Sequence, residues 1–298
     1  MFLQIDHSTH YRFAAPVGFT PHLLRFLPRT APGLHLLKSS LTINPQASVK
    51  WNLDALGNIV GRVIFPTESD ALLIKSSILI EQYLANPFDF LLEEQALHLP
   101  ISYTERELFL LSSCLQEMDQ GAAATLSGWI PPFLDNHRGV NGRSLTLATI
   151  TAINSAIPSL FRYVPRHVHG VWTVEELFEK REGTCRDFAL LLIETARFLG
   201  IPARYISGYL CSSPDGRAGE SSTHGWCELY LPGAGWRGFD PTNGILAGGH
   251  HIAVASSITA GEIPPIEGTY CGDSALCIGH EVDIAAYELL PAEVMTRS

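Results

Sequence analysis

The sequence has little charge and no run of basic residues. Charged residues make up 17% of the 298 residues, against about 25% in an average domain. The net charge is −10 at pH 7. Because phosphate binding requires clustered Lys and Arg side chains, no nucleic-acid partner is expected. Docking to an anionic membrane surface is disfavoured for the same reason.

Long apolar runs are also absent. No segment approaches the ~18 consecutive apolar residues that a membrane-spanning helix needs. Residues 1–7 lack a basic segment followed by an apolar stretch, so they predict a strand and not a signal peptide. We therefore expect no membrane partner and a cytoplasmic location.

The cysteines form no Cys-x-x-Cys pair, which argues against zinc ribbons and dithiol redox motifs. The His250-His251 doublet has no metal-binding spacing around it, so we expect neither a metal nor another cofactor. Scattered cysteines in a long chain fit a reducing compartment. The six are Cys114, Cys185, Cys211, Cys227, Cys271 and Cys277.

The periodicity of the sequence predicts an α+β protein with an N-terminal β-sandwich-like domain over residues 1–98. Residues 99–160 predict a helical connector that starts with a capping box at Thr104 and Glu107 and contains a loop over 121–142. Residues 161–298 predict a core domain. We place its C-terminal strands in an antiparallel sheet that continues from that core.

Cys185 is the most informative residue of the core. Gly183 predicts a turn, Thr184 and Asp187 have N-cap and N3 character, and an apolar helical stripe follows until Gly200. A thiol in the first turn of a helix experiences the positive end of the helix dipole, which favours the nucleophilic thiolate. The segment therefore indicates a cysteine nucleophile.

His224 and Asp240 follow in the order that a nucleophile, base and orienting group require. His224 lies in a predicted strand over residues 223–231, and Asp240 precedes a proline at the end of another. Each of these residues is common for structural reasons alone, so the hypothesis depends on their order and spacing. Trp226 shares the His224 face of the strand and is a candidate substrate-binding residue, whereas Cys227 on the opposite face is expected in the core.

Three segments resemble the transglutaminase-like superfamily. They are Gly183-Thr184-Cys185-Arg186-Asp187, Thr223-His224-Gly225-Trp226-Cys227-Glu228 and Gly238-Phe239-Asp240-Pro241. Residues near Thr9-His10-Tyr11, Asp54 and Asn86-Pro87 resemble the N-terminal β-domain of bacterial transglutaminase-like proteins. The resemblance implies a papain-like fold in which the Cys helix packs on an antiparallel sheet. It also implies Cys185 as nucleophile, His224 as general acid and base, and Asp240 as orienting group.

Two details differ from the usual family pattern. Gly225 stands where Ala is common, and Thr184 stands where Val is common. The Cys185 backbone N–H is a natural first donor to an oxyanion. Animal transglutaminases use an upstream tryptophan as the second donor, but no residue of this sequence aligns with it.

These residues predict acyl transfer from an amide or peptide bond through a thioester. Hydrolysis is the first expectation, with a peptide or protein as substrate; protein-glutamine transglutaminase or peptide ligase activity uses the same triad. A catalytically inert binding or scaffold protein is the alternative of a different class. The Gly and Ser content of segment 212–222 would permit motion, but the sequence does not decide whether this segment is a lid over the cleft.

Overall fold

The computed structural model describes residues 1–84, 86–116, 119–166, 170–212 and 222–290. No helix in these ranges is long and apolar enough to cross a membrane. The strands of the described residues are β1 Phe2–Phe19, β2 His22–Leu24, β3 Leu34–Asn44, β4 Ser48–Leu53, β5 Ile59–Ile64, β6 Ser69–Gln82, β7 Arg162–Tyr163, β8 Glu182–Gly183, β9 Ala203–Leu210, β10 Ser222–Leu231, β11 Gly235–Asp240, β12 Ile245–Leu246, β13 His251–Ser257, β14 Ile266–Glu267, β15 Tyr270–Cys271 and β16 Cys277–Leu289. The α-helices are α1 Glu105–Leu111, α2 Gln120–Trp129, α3 Pro131–Asn136, α4 Thr146–Leu160, α5 Val174–Lys180 and α6 Cys185–Phe198.

The N-terminal domain consists of two packed sheets, which confirms the predicted strand-rich domain. One sheet contains β1 between β6 and β16, with β3 beyond β6 and β15 at the far end of β1. The other has the order β14-β2-β5-β4. Their inward side chains form one core because alternate residues of a strand point to the same face. The buried members of this core are Phe13, Val17, Leu24, Phe26, Val63, Leu72 and Ile74.

The C-terminal strands lie in this domain, so their predicted placement in the core sheet was wrong. β16 pairs with β1 from Phe2 to Phe13, β15 pairs with the end of β1, and β14 pairs with β2. Only β13 extends the core sheet, where it pairs with β9. Alternating apolar residues identify a strand but carry no information about its partner. The chain therefore closes the N-terminal sheet with its last described strand.

The core sheet is antiparallel and has the order β12-β11-β10-β9-β13. Helix α6 packs across β9 and β10, where Phe188 and Leu192 meet Ala203, Cys227 and Leu229 in a buried cluster. This is the predicted arrangement of a Cys helix on an antiparallel sheet. The apolar positions of α6 recur on one face because a helix turns once every 3.6 residues.

Residues 99–160 form helices, but they are part of the core domain and not a separate connector. Leu126 of α2 and Ile150, Ile153 and Ile157 of α4 lie in the same buried cluster as Phe188. The predicted loop over 121–142 was also wrong, since most of it forms α2 and α3. Pro131 and Pro132 occupy the first turn of α3, where a missing backbone N–H removes no helical hydrogen bond.

The opposite face of the core sheet packs against the N-terminal domain. Ile5 and Ile80 of that domain and Tyr209 and Ile252 of the core share one buried cluster. Asn58, fully buried, donates through Nδ2 to the carbonyl of Ser256 and accepts from its backbone N–H. The core sheet is thus enclosed between a layer of helices and the N-terminal domain. The Asn58 hydrogen bonds attach β13 to that domain.

His7 lies at this interface, where its Nδ1 is 2.8 Å from Tyr209 Oη. Burial lowers the pKa of His7 from 6.5 to about 4. The unfolded chain therefore binds a proton below pH 6.5 that the folded protein binds only near pH 4. We expect the free energy of unfolding to fall by about 3 kcal/mol as the pH drops through this window. The expected dependence is weaker in His7→Asn, which retains a polar group near Tyr209 but does not titrate.

Urea unfolding of both proteins between pH 7 and pH 4 measures this difference. An equal loss of stability with falling pH in wild type and His7→Asn would contradict the assignment to His7.

Candidate active site

The N-terminus of α6 places Cys185 at the first helical position, where its backbone N–H has no partner within the helix. Asp187, fully buried, holds this end of the helix: its Oδ2 accepts from the backbone N and from Oγ1 of Thr184, both at 2.7 Å. The N3 role predicted for Asp187 is therefore seen in its contacts. Cys185 itself is half-buried.

Gly183 has a different role from the predicted turn. It lies in the short strand β8, and a Cβ there would meet Leu177 Cδ1 at 2.8 Å and Phe188 Cε1 at 3.0 Å. Glycine is needed at this position for close packing beneath the helix and not for backbone freedom.

Asp187 also fixes the loop in front of the helix. Its Oδ1 accepts from the backbone N of Trp172 at 2.7 Å and from Nη2 of Arg166 at 2.9 Å. The Arg166 guanidinium lies over the Trp172 ring, 4.2 Å from its centroid. A single buried carboxylate therefore orders both the nucleophile helix and one wall of the cleft.

His224 lies on β10 and Asp240 at the end of the neighbouring β11. His224 Nε2 donates to Asp240 Oδ2 at 2.9 Å, and both side chains are buried. Since Nε2 carries this hydrogen bond, Nδ1 is the nitrogen available to the thiol of Cys185. The structure thus brings together the three residues that the sequence singled out.

Asp240 is fully buried and receives hydrogen bonds from all sides. Besides His224, Oδ2 accepts from Nδ2 of Asn243 at 2.6 Å, and Oδ1 accepts from the backbone N of Thr242 and of Asn243. Burial alone would raise the pKa of Asp240. The hydrogen bonds from the two buried histidines His224 and His251 lower it far below its usual range instead. The group is therefore a permanent carboxylate that keeps the imidazole oriented.

The pKa of His224 reflects two opposing effects. Burial lowers it, whereas hydrogen bonds and charge interactions with Asp240 and Cys185 raise it from 6.5 to about 10. The arrangement therefore favours an imidazolium beside the thiol at neutral pH, which is the partner that a cysteine thiolate needs.

His251 is a second imidazole on the same carboxylate, and the sequence reasoning missed its role. Its Nε2 donates to Asp240 Oδ2 at 3.0 Å, while Nδ1 accepts from the backbone N of Gly248 at 3.2 Å. Burial lowers the pKa of His251 despite the neighbouring carboxylate, which agrees with this neutral tautomer. Nothing in the His250-His251 doublet itself indicates that the His251 ring reaches Asp240, because the two residues lie on β13 and β11, which are not neighbours in the sheet.

The ligand atoms of His224, Asp240 and His251 lie within 4.8 Å of one another, close enough for a metal ion. However, both Nε2 atoms are directed at Asp240 Oδ2 within hydrogen-bonding distance, and Asn243 occupies the same oxygen. The contacts of this cluster therefore favour a hydrogen-bond network over a metal centre.

Trp226 does not line the cleft, so its expected role in contacting substrate is corrected. Its side chain is 2% exposed. Its ring stacks beside His224 at 6.1 Å between centroids and meets the edge of His251 at 5.4 Å. The alternation of the strand correctly grouped Trp226 with His224, but that neighbourhood lies in the interior. Trp226 supports the two imidazoles by packing.

The cleft above Cys185 has a volume of about 320 Å³. Its walls come from the loops before α6, from β9 and β10, and from residues 261–265. Segment 212–222, whose composition would permit motion, lies almost entirely outside the described residues. The lining includes Tyr163, Arg166, Arg186, Tyr205, Ser207, Thr223, His224, Gly225 and Ile263.

The other cysteines have no comparable surroundings. Cys114, Cys211 and Cys227 are buried, as expected for Cys227, and burial raises the pKa of the Cys211 thiol to about 12. Cys271 is exposed and Cys277 is half-buried, both in the N-terminal domain. Cys185 is thus the cysteine that lies in the cleft with His224.

Comparisons with known proteins agree with this architecture. The family model of the bacterial transglutaminase-like N-terminal region matches residues 3–81, and that of the transglutaminase-like superfamily matches residues 137–241. A crystal structure of a candidate cysteine protease from Cytophaga hutchinsonii aligns with a TM-score of 0.67 at 17% identity. That alignment covers 96% of this chain and 90% of the other.

An uncharacterised protein of Mycobacterium tuberculosis is 35% identical over 124 residues, which are 39% of this chain and 40% of that protein. The match thus spans less than half the length of the relative. A protein-glutamine gamma-glutamyltransferase of Pseudomonas aeruginosa is 35% identical over 71 residues, covering 22% of this chain and 11% of the enzyme.

The fold and site define an α+β protein with a papain-like core, in which a cysteine helix packs on an antiparallel sheet. The two family models together account for the N-terminal domain and for the segment that carries Cys185, His224 and Asp240. The chain belongs to the transglutaminase-like superfamily.

The buried Asp187 carboxylate should be costly to remove. In Asp187→Ala, Arg166 and the Thr184 backbone lose their partner in the interior, and we expect a loss of about 3–5 kcal/mol in the free energy of unfolding. Glu176→Ala is the matched control, because Glu176 caps α5 in the same way but on the surface. Its expected cost is about 1 kcal/mol or less.

Urea unfolding at neutral pH measures both variants. Equal costs for Asp187→Ala and Glu176→Ala would contradict the structural role assigned to Asp187.

Proposed function

We propose that this protein is a cysteine-nucleophile enzyme that transfers acyl groups from amide or peptide bonds through a thioester. The observation that carries the proposal is the hydrogen bond from His224 Nε2 to the buried Asp240, which leaves Nδ1 for the thiol at the N-terminus of α6. This combination supplies a nucleophile, a proton carrier and an orienting group.

The proposed reaction begins when the Cys185 thiolate attacks the carbonyl carbon of the substrate. A C–S bond forms, and the carbonyl electron pair moves onto oxygen, which the backbone N–H of Cys185 can bind. His224 then gives its proton to the departing amine. In the second half, His224 takes a proton from the incoming nucleophile as that nucleophile attacks the thioester, and the C–S bond breaks to release the acyl product and return the Cys185 thiolate.

Hydrolysis is the proposed outcome for the thioester. Water is the most concentrated nucleophile, so net transfer to an amine requires a site that excludes water and binds the acceptor. The walls of the cleft are polar on the side of Thr223, His224 and Ser207, which is compatible with water as the acceptor. A peptide or protein is the proposed substrate.

Transfer to an amine is the second candidate, and the relative from Pseudomonas aeruginosa named as a protein-glutamine gamma-glutamyltransferase favours it. The two outcomes are separated by adding a primary amine to a reaction with a glutamine-containing peptide. Incorporation of the amine at the expense of the free acid would favour transfer, and release of the acid at an undiminished rate would favour hydrolysis.

A reducing, cytoplasmic compartment is part of the proposal. All six cysteines are unpaired, as expected for a compartment in which thiols stay reduced.

The proposed ion pair makes a direct prediction about the reactivity of Cys185. His224 is protonated below a pKa of about 10, so at pH 6 an imidazolium lies beside Cys185 and should favour its reaction with iodoacetamide. In His224→Ala the thiolate loses its counterion, and the rate at pH 6 should fall at least tenfold. Peptide mapping by mass spectrometry distinguishes Cys185 from the exposed Cys271.

Cys271 within the same samples is the internal control, since it lies in β15 of the N-terminal domain and does not line the cleft that contains His224. Equal alkylation of Cys185 in wild type and His224→Ala at pH 6 would contradict the triad and support the inert scaffold alternative.

A further inference from the structure

Tyr205 lies in the cleft but has no structural task that explains its hydroxyl. The side chain is 4% exposed, yet the residue lines the cleft together with Cys185 and His224. Within the residues that the structure describes, no side chain or backbone group hydrogen-bonds to Tyr205 Oη. A tyrosine hydroxyl that lines the cleft without a protein partner is available to donate a hydrogen bond to a substrate.

The register of the sheet places Tyr205 on the face that packs against α6. Tyr205 on β9 is opposite Cys227 on β10, and Ser207 is opposite Gly225. Tyr205 and Gly225 are therefore diagonal neighbours on one face of the sheet. A Cβ on Gly225 would lie only 2.3 Å from Tyr205 Oη and 3.0 Å from the ring carbon that bears it. The Tyr205 hydroxyl thus lies over Gly225, in the space that a side chain at position 225 would fill.

The electrostatic surroundings keep this hydroxyl protonated. Burial raises the pKa of Tyr205 strongly, and the nearby charges of Cys185 and Asp187 raise it further, whereas that of Arg186 lowers it. Tyr205 and Cys185 line the same cleft. A neutral O–H in this position is a donor and not a base at any working pH.

We infer that Tyr205 Oη is the second hydrogen-bond donor to the oxyanion formed when Cys185 attacks the substrate. This inference rests on the proposed acyl transfer. The substrate carbonyl oxygen becomes negative as the C–S bond forms and accepts hydrogen bonds from the Cys185 backbone N–H and from Tyr205 Oη. Tyr205 keeps its proton, and the electron pair returns to carbon when the C–N bond breaks and His224 protonates the amine.

Tyr205→Phe tests the inference because it removes the donor and keeps the ring. Alkylation by iodoacetamide passes through no oxyanion, so its rate at Cys185 should stay within twofold of wild type. Acylation of Cys185 by p-nitrophenyl acetate does form an oxyanion, and its rate should fall by about 10²–10³-fold. The loss should appear in the limiting acylation rate and not in the concentration of ester at half saturation.

Tyr209→Phe is the matched control. It removes a hydroxyl from the same strand, but Tyr209 Oη is hydrogen-bonded to His7 of the N-terminal domain, and Tyr209 does not line the cleft. Both rates should remain at wild-type values in this variant. Circular dichroism of each variant establishes that the fold is retained.

Gly225→Ala supplies an independent arm. Its Cβ collides with Tyr205 Oη, so it should slow acylation in the wild-type background but cause a much smaller further loss in Tyr205→Phe. Fully multiplicative losses in the double variant would contradict the inference.

The outcomes separate this inference from the proposed function. Acylation of Tyr205→Phe within threefold of wild type would overturn the role of Tyr205 and leave acyl transfer intact. A parallel fall of acylation and alkylation would also overturn it, since Tyr205 would then act on the thiol. A wild-type protein that is alkylated at Cys185 but never acylated would overturn the proposed function, and the oxyanion role with it.

Discussion

The geometry of the site depends on one buried carboxylate. Asp240 has no exposed surface and accepts hydrogen bonds from His224, His251, Asn243 and two backbone amides. An isolated charge in this position would be very unfavourable. The surrounding donors compensate for the lost hydration, and in doing so they fix the relative positions of three strands. The orientation of the His224 ring is a consequence of this shared anion.

The same network explains how a β-domain remote from the thiol supports the site. His251 begins β13, the edge strand of the core sheet, and Ser256 near the end of that strand is bonded to Asn58 of the N-terminal domain. β13 is therefore held at one end by Asp240 and at the other by the neighbouring domain. The last described strand, β16, pairs with β1 and so completes the domain that contains Asn58.

Sequence and structure agree best where the signal is local. The N-terminus of α6, the buried stripe of that helix and the strand positions of His224 and Asp240 all follow from neighbouring residues and simple periodicities. The pairing of β14, β15 and β16 with the N-terminal sheets does not, since strand patterns are the same for any partner. His251 and Tyr205 escaped notice for a related reason. Their significance comes from contacts across strands, and Trp226 shows that sharing a face with His224 does not imply contact with solvent.

Gly225 illustrates how a small departure from a family pattern acquires a physical meaning. Alanine is common at this position, and nothing in the surrounding sequence explains its loss. In the folded chain the missing Cβ is the space that the Tyr205 hydroxyl occupies, beside the nucleophile and next to the catalytic imidazole proposed here. A pair consisting of a tyrosine on β9 and a glycine on β10 is therefore one structural unit. Gly225 affects the site by leaving room for the Tyr205 hydroxyl, which a larger residue at this position would displace.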